Sequence, residues 1–377
     1  MKILFLLGSR GEWGYIEPVI REFTKKRHKV EICATNMAIL DGYGNLAAKL
    51  ERDGIPIKYR VHSSISGDNL ASMAKSIGLL EMSLVDILSQ NTPDWLVLAG
   101  DRAEQLAGAI AGAYCYIPTA HIQAGERSGN IDGVARHAIS KLVHFHLASN
   151  QDAAQRLISS GEESTRVHIT GAPQIDDIYQ KNFLTRSELA SFRIIKHDGP
   201  FVLACIHPVT EDLASTELLI SEVMLSLKNL EKQVVWVLPN NDAGGERIRS
   251  FVLDGARSKD AIHVNLDREK FLALMANADW MIGNSSSGIL EAPSFCLPAI
   301  NIGRRQADRF RGENVIDSEI DRTSIKNAIA RAENPTFRSS ILGMLNPYGR
   351  GDAAKQIVSL LESTQIDSAL LIKRMTY

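Results

Sequence analysis

The chain has 377 residues, 45% of them hydrophobic and 23% charged, the balance of an ordinary globular protein too long for a single hydrophobic core. A formal net charge of −2 carries no basic signature and argues against nucleic acid as a partner, although one cationic pocket for a phosphorylated small molecule is compatible with it. The cysteines, Cys33, Cys115, Cys205 and Cys296, lie far apart with no metal-ligand spacing and read as reduced thiols. MKILFLLGSRGEW has too short an apolar run for a signal peptide, and no run reaches the length of a membrane span. A cytoplasmic enzyme or binding protein without a membrane partner is the expected class.

Short apolar runs alternate with amphipathic stretches, the mark of βα units around a parallel sheet. The expected strands of the first half are 3–7, 30–34, 57–61, 95–99, 119–123, 145–148 and 167–170. Pro18 reads as the first turn of a helix, and Asn150 as a helix N-cap. The rhythm breaks between Gly171 and Pro200, and strands at 201–206, 234–238, 262–264, 280–282 and 299–302 follow. The expected architecture is α/β, with two Rossmann-like, doubly wound domains facing a cleft. Residues 1–172 form the first, 173–199 a linker and 200–363 the second, while 364–377 make a terminal helix expected to cross back to the first domain. Ligands in such sheets bind beyond the carboxyl ends of strands, so polar clusters there are the candidates.

GSRGEWG, Gly8 to Gly14, follows the first strand. It matches neither a dinucleotide nor a P-loop fingerprint, but its glycines let a phosphate approach the backbone, and Arg10 offers an anion further donors. In AGDRAEQ, Asp101 is either a helix cap or a general base at a strand end. HIQAGERSGNIDGVARHAISKL crowds His121, Glu126, Arg127, Asp132, Arg136 and His137 where a core strand gives way to a helix. Asp132 and Arg136 are spaced to share a helix face, where the cation would keep the carboxylate ionised. CIHPVT places His207 at the end of the second domain's first strand, and PNNDAGG puts a polar turn, with Asn240, after another. GNSSSGILEAP carries the more specific phosphate-binding signal: Ser285 and Ser286 precede an expected helix, and Glu291 is placed for ribose hydroxyls. Arg304, Arg305 and Arg309 add cations after it.

Taken in order, GSRGEWG, GDRAE, the HIQAGE stretch, HPVT, PNND, GNSSSGILEAP and NIGRRQADRFRGENV resemble the UDP-N-acetylglucosamine 2-epimerase family over nearly the whole chain. HPVT, and GNSSSG followed by an Arg-Gln pair, look like its hydrolysing branch, which makes N-acetylmannosamine or related sugars for sialic-acid-like nonulosonates. The resemblance implies a glycosyltransferase-B-like pair of Rossmann domains. It also implies a reaction in which a base removes the C2 proton while UDP leaves C1, water then adds to the glycal, and the 2-epimeric sugar is released.

On the family's pattern, Asp101 and Asp132 are the acid/base candidates, and His207 and Arg136 bind or orient the leaving diphosphate and sugar. Arg10, Ser285 and Ser286 are implied for phosphate binding, Glu291 for the ribose, and Gln123, Asn240 and Arg305 for other substrate contacts. No metal or other cofactor is implied, the partner is a UDP-sugar, and a homo-oligomer (dimer or tetramer) is expected. Two departures stand out. Gln123 occupies the position where the HIEGGE form carries a catalytic Glu, and Glu126 is the carboxylate to which that role would move. Tyr15 stands where the non-hydrolysing branch has Lys. UDP-N-acetylglucosamine is the first-choice substrate. The alternatives are a UDP-2,4-diacetamido-2,4,6-trideoxyglucose on the legionaminic acid route, a glycosyltransferase of the same fold, and a non-catalytic sugar-nucleotide sensor.

Overall fold

A computed structural model describes residues 1–65, 70–127, 131–180, 182–209, 213–239, 244–264 and 266–376. The chain divides into two compact units, Met1–Asp177 with Tyr348–Tyr377, and Ile178–Pro347. It re-enters the first unit at Tyr348, ahead of the 363/364 boundary read from the sequence.

The first unit is built on seven parallel strands: β1 (Lys2–Leu7), β2 (Lys29–Thr35), β3 (Tyr59–Val61), β4 (Trp95–Ala99), β5 (Thr119–Ala124), β6 (Phe145–Ala148) and β7 (Val167–Ile169). Their order is 3-2-1-4-5-6-7. β1 and β4 are buried along nearly their whole length, as strands covered on both faces must be. The helix Arg10–Lys25 packs its Ile16, Val19, Ile20 and Phe23 into this core. Pro18 lies in the interior of that helix rather than in its first turn. The start is set eight residues earlier by a capping box in which Ser9 and Glu12 satisfy each other's backbone. Burial of the helix's apolar face outweighs the hydrogen bond lost at Pro18. Asn150 does cap the helix Gln151–Ser159, accepting from the Ala153 amide.

The second unit repeats the design with β8 (Phe201–Cys205), β9 (Gln233–Val237), β10 (Ala261–His263), β11 (Met281–Gly283), β12 (Ala299–Ile302) and β13 (Val315–Ser318). The order here is 10-9-8-11-12-13. β13 was not expected from the sequence. Its four residues, VIDS, are half polar because it lies at the open edge of the sheet, where only one neighbour is paired. No helix among the described residues is long and apolar enough to cross a membrane.

In each sheet the winding reverses between two strands, β1 and β4 in the first and β8 and β11 in the second. Chains leaving such neighbours run to opposite faces and open a crevice at their carboxyl ends. GSRGEWG and Gly100-Asp101 follow one pair of strands, and His207 and Asn284 the other.

Candidate active site

At the first switch point Gly100 takes φ +85, turning the chain out of β4 so that Asp101 follows at once. A Cβ at Gly100 would sit 3.5 Å from the Tyr15 ring, which packs beneath this turn. Arg136, on the helix Ile131–Leu142, is buried and reaches across to the Asp101 carboxylate, Nη2 to Oδ2, at 2.5 Å. Its Nη1 donates to the Gln123 carbonyl at 2.6 Å. The cation read from the sequence as a helix-face partner of Asp132 therefore ties the ends of β4 and β5 together. Asp132 lies in the first turn of this helix, and its side chain is outside the described residues.

Gln123 interrupts β5. Its φ is +60, the strand register shifts between Ile122 and Ala124, and the residue is only 4% exposed. A β-bulge at a buried, non-glycine, left-handed residue stores strain and re-aims the chain, a feature that clusters at functional sites. Its Nε2 is buried without a hydrogen-bond partner among the described residues. Glu126, the carboxylate expected to replace the missing Glu, is buried and accepts through Oε1 from Ser149 Oγ and from Asn150 Nδ2. One of its oxygens is thus committed to the loop after β6, whereas the Asp101 side chain keeps 21% of its surface open. His121 donates Nε2–H to the Gly100 carbonyl at 2.6 Å, and burial pushes its pKa down to about 3. It acts as a neutral brace under the turn.

The GSRGEWG turn differs from its sequence reading. In this turn, whose backbone was expected to admit a phosphate, the Gly8 and Ser9 amides both donate to Glu12 Oε2, at 2.5 and 3.0 Å. Those two amides are therefore already occupied within the turn. Arg10 is exposed at the first position of its helix, with its Nη2 against Gly44, where an added Cβ would come within 2.5 Å.

Burial and then the neighbouring Glu104 push Glu12 up to about 8, with Arg102 and Gln105 opposing them, so Glu12 carries a proton at neutral pH. The native state therefore binds a proton that the unfolded chain has released. The associated stability is complete below about pH 4.5 and is lost as the pH rises through about 8. Glu12→Gln keeps an oxygen for the two amides and abolishes the titration. Denaturant unfolding between about pH 5 and pH 9 is expected to show the wild type losing stability relative to the variant. Parallel curves would refute the buried proton.

At the second switch point the Asn284 carboxamide joins the two loops. Its Oδ1 accepts from the His207 amide at 2.7 Å, and its Nδ2 donates to the His207 carbonyl at 2.9 Å. Arg305 Nη1 and Gln306 Nε2 both donate to the Asn284 carbonyl. Within GNSSSG the sequence gives Asn284 no chemical mark of its own. Its position immediately after β11, before the serines, was the available signal. Burial and then Arg305 lower His207 to about 4, so it is neutral at pH 7.

The helix expected to aim its N-terminus at an anion has only four residues, Ser287–Leu290, because Pro293 and a 3₁₀ turn, Ala292–Phe295, follow directly. Its dipole is correspondingly small, and its Ser287, Gly288, Ile289 and Leu290 amides are spent on Ser285 and Ser286. Glu291 is buried, bonded through Oε1 to Arg268 at 3.4 Å, while its Oε2 has no hydrogen-bond partner among the described residues. An oxygen in that state suits a sugar hydroxyl donor. Asn240 lies outside the described residues.

The model of the family described as UDP-N-acetylglucosamine 2-epimerase matches residues 21–362. The chain belongs to that family. This UDP-N-acetylglucosamine 2-epimerase family member is 34% identical to the UDP-N,N'-diacetylbacillosamine 2-epimerase (hydrolyzing) of Legionella pneumophila, over 100% of this chain and 99% of the relative. It is 31% identical to the GDP/UDP-N,N'-diacetylbacillosamine 2-epimerase (hydrolyzing) of Campylobacter jejuni, over 98% of this chain and 97% of that one. Among solved structures it resembles the UDP-GlcNAc 2-epimerase of Neisseria meningitidis bound to UDP-GlcNAc. The TM-score is 0.80 at 23% identity, covering 97% of this chain and 100% of that one. The two-unit α/β fold of this epimerase family member is thereby placed among family structures.

Proposed function

We propose that this family member is a hydrolysing 2-epimerase of UDP-amino sugars, with a UDP-2,4-diacetamido-2,4,6-trideoxyglucose as its favoured substrate. The observation that carries the chemistry is the Asp101 carboxylate at the end of β4, oriented by an Arg136 that also grips the bulged Gln123 carbonyl. Gln123 cannot accept a proton as a carboxylate does, and Glu126 is partly engaged, so Asp101 is assigned the C2 proton. As the C2–H electrons form the C1=C2 double bond, the C1–O bond breaks and UDP departs with that electron pair. Water then adds at C1, and a proton is returned to C2 from the opposite face. Asp132, the second carboxylate implied by the family resemblance, is assigned that return.

Arg136 and the neutral His207 orient sugar and diphosphate, Arg10, Ser285, Ser286 and Arg305 contact the phosphates, and Glu291 the ribose. Gln123 and Asn240 are assigned to other substrate contacts. The choice of sugar rests on the two relatives named for diacetylbacillosamine, and it puts UDP-N-acetylglucosamine, the first choice from sequence, second.

Proton NMR in D2O tests the reading, with each UDP-sugar offered in turn. The expected result is free UDP and a manno-configured sugar deuterated at C2, formed faster from the diacetamido substrate. A UDP-linked epimer would overturn hydrolysis. Transfer of the sugar without C2 exchange would make the protein a glycosyltransferase, and absence of turnover on both substrates would overturn the proposal.

A further inference from the structure

Behind the Arg136 helix lies a buried charge cluster that the proposed reaction does not use. The Glu162 side chain is fully buried and receives Lys141 Nζ at 3.0 Å, His146 Nε2 at 2.9 Å and Lys373 Nζ at 2.5 Å. His146 is pushed down to about 4 by burial and is a neutral donor, while bonds from His146 and Lys373 overcome burial and hold Glu162 at about 2. Lys373 is itself largely buried, which makes it an expensive residue to keep in place without a purpose.

Its ammonium has a second partner, the carbonyl of Ser140. That carbonyl is among the last four of the helix Ile131–Leu142, which have no intrahelical amide to accept from, and a cation there also complements the helix dipole. Ser140 Oγ in turn donates to the Arg136 carbonyl at 3.1 Å, one turn back. A continuous path therefore runs from Lys373 through Ser140 to the residue that holds Asp101. The segment carrying Lys373 is anchored independently. The Arg166 guanidinium donates to the carbonyls of Ala369, Leu370 and Ile372, and the Thr376 amide donates to Gly161 O.

We infer that Lys373 is a positioning residue: the C-terminal segment fixes the end of the Arg136 helix and, through it, the placement of the Arg136 guanidinium on Asp101. The inference rests on the reading of Asp101 and Arg136 as reaction groups. A displacement of about 1 Å in such a pair is enough to lower turnover severalfold to a hundredfold.

The test uses full-length Lys373→Met and Lys373→Arg proteins, with turnover normalised to folded protein and hydrogen exchange followed by mass spectrometry. Lys373→Met is expected to speed amide exchange selectively in the 131–142 helix. It should lower kcat about tenfold with KM nearly unchanged, and Lys373→Arg should restore most of both. Wild-type exchange and kcat in Lys373→Met would overturn the inference, as would faster exchange spread evenly over the first unit with kcat per folded molecule intact. Should Lys373→Met not fold, Lys373→Gln, which keeps a donor for the Ser140 carbonyl, is read by the same criteria. If the wild type turned over no UDP-amino sugar, the functional reading alone would fail. The exchange pattern would still decide whether Lys373 holds the helix.

Discussion

Asp101→Asn is expected to lower turnover by about 10³-fold while leaving UDP binding intact. Asn has the shape of Asp and can still accept from Arg136 Nη2, so the geometry at the end of β4 survives, while the capacity to take a proton and the charge offsetting Arg136 are lost. The side chain is partly open to solvent and packs no core, so the folded protein should be recovered in normal yield. Turnover and C2 deuterium incorporation should fall together, since one proton abstraction feeds both. A variant within tenfold of the wild type would move the base elsewhere, with Asp132 and Glu126 next in line.

Gly283→Ala is expected to be the most damaging single substitution for the second unit. Gly283 ends β11 with φ +140, a region open to glycine and strained for every residue with a Cβ. The added carbon would lie 1.9 Å from the Cys205 carbonyl oxygen and 2.7 Å from its carbon. Both are main-chain atoms of β8, the neighbouring central strand, so no side chain can swing away and the strands themselves must part. Backbone strain and broken pairing together should cost about 3–5 kcal/mol, read as a fall in the denaturant midpoint of the second unit. UDP binding should be lost with it, because His207 and Asn284 hang on those two strand ends. Gly288→Ala is the control. Its Cβ would meet the Ala299 Cβ at 3.4 Å, an ordinary contact, and near-wild-type stability is expected. Equal effects in the two variants would show that the close approach at Gly283 is not what holds the strands.

Legibility differed between elements for physical reasons. Strands buried on both faces announce themselves as unbroken apolar runs, and WLVL before Gly100 and FVLA before Cys205 were readable for that reason. β13 was not, because an edge strand can afford Asp317 and Ser318. The Asn150 cap is local chemistry and legible in the sequence, whereas the position of Pro18 is not, because a local breaker yields to a well-capped, well-packed helix. In the site, residue types were legible and partners were not. Arg136 was paired by periodicity with Asp132, yet its bond to Asp101 spans two strand ends. The Gly8 and Ser9 amides looked available to a ligand until Glu12 was seen to occupy them.

The sequence by itself thus determined the class of fold, the family and a set of candidate groups for the site, because these follow from hydrophobic period and from motifs whose spacing is local. Only the tertiary structure decided which of those groups meet, which are spent on one another and which stay open. Gln123 at its bulge, His207 made neutral by burial and Lys373 buried against Glu162 each owe their character to neighbours distant in the chain. Desolvation and hydrogen-bond competition are set by those neighbours, and no reading of adjacent residues contains them.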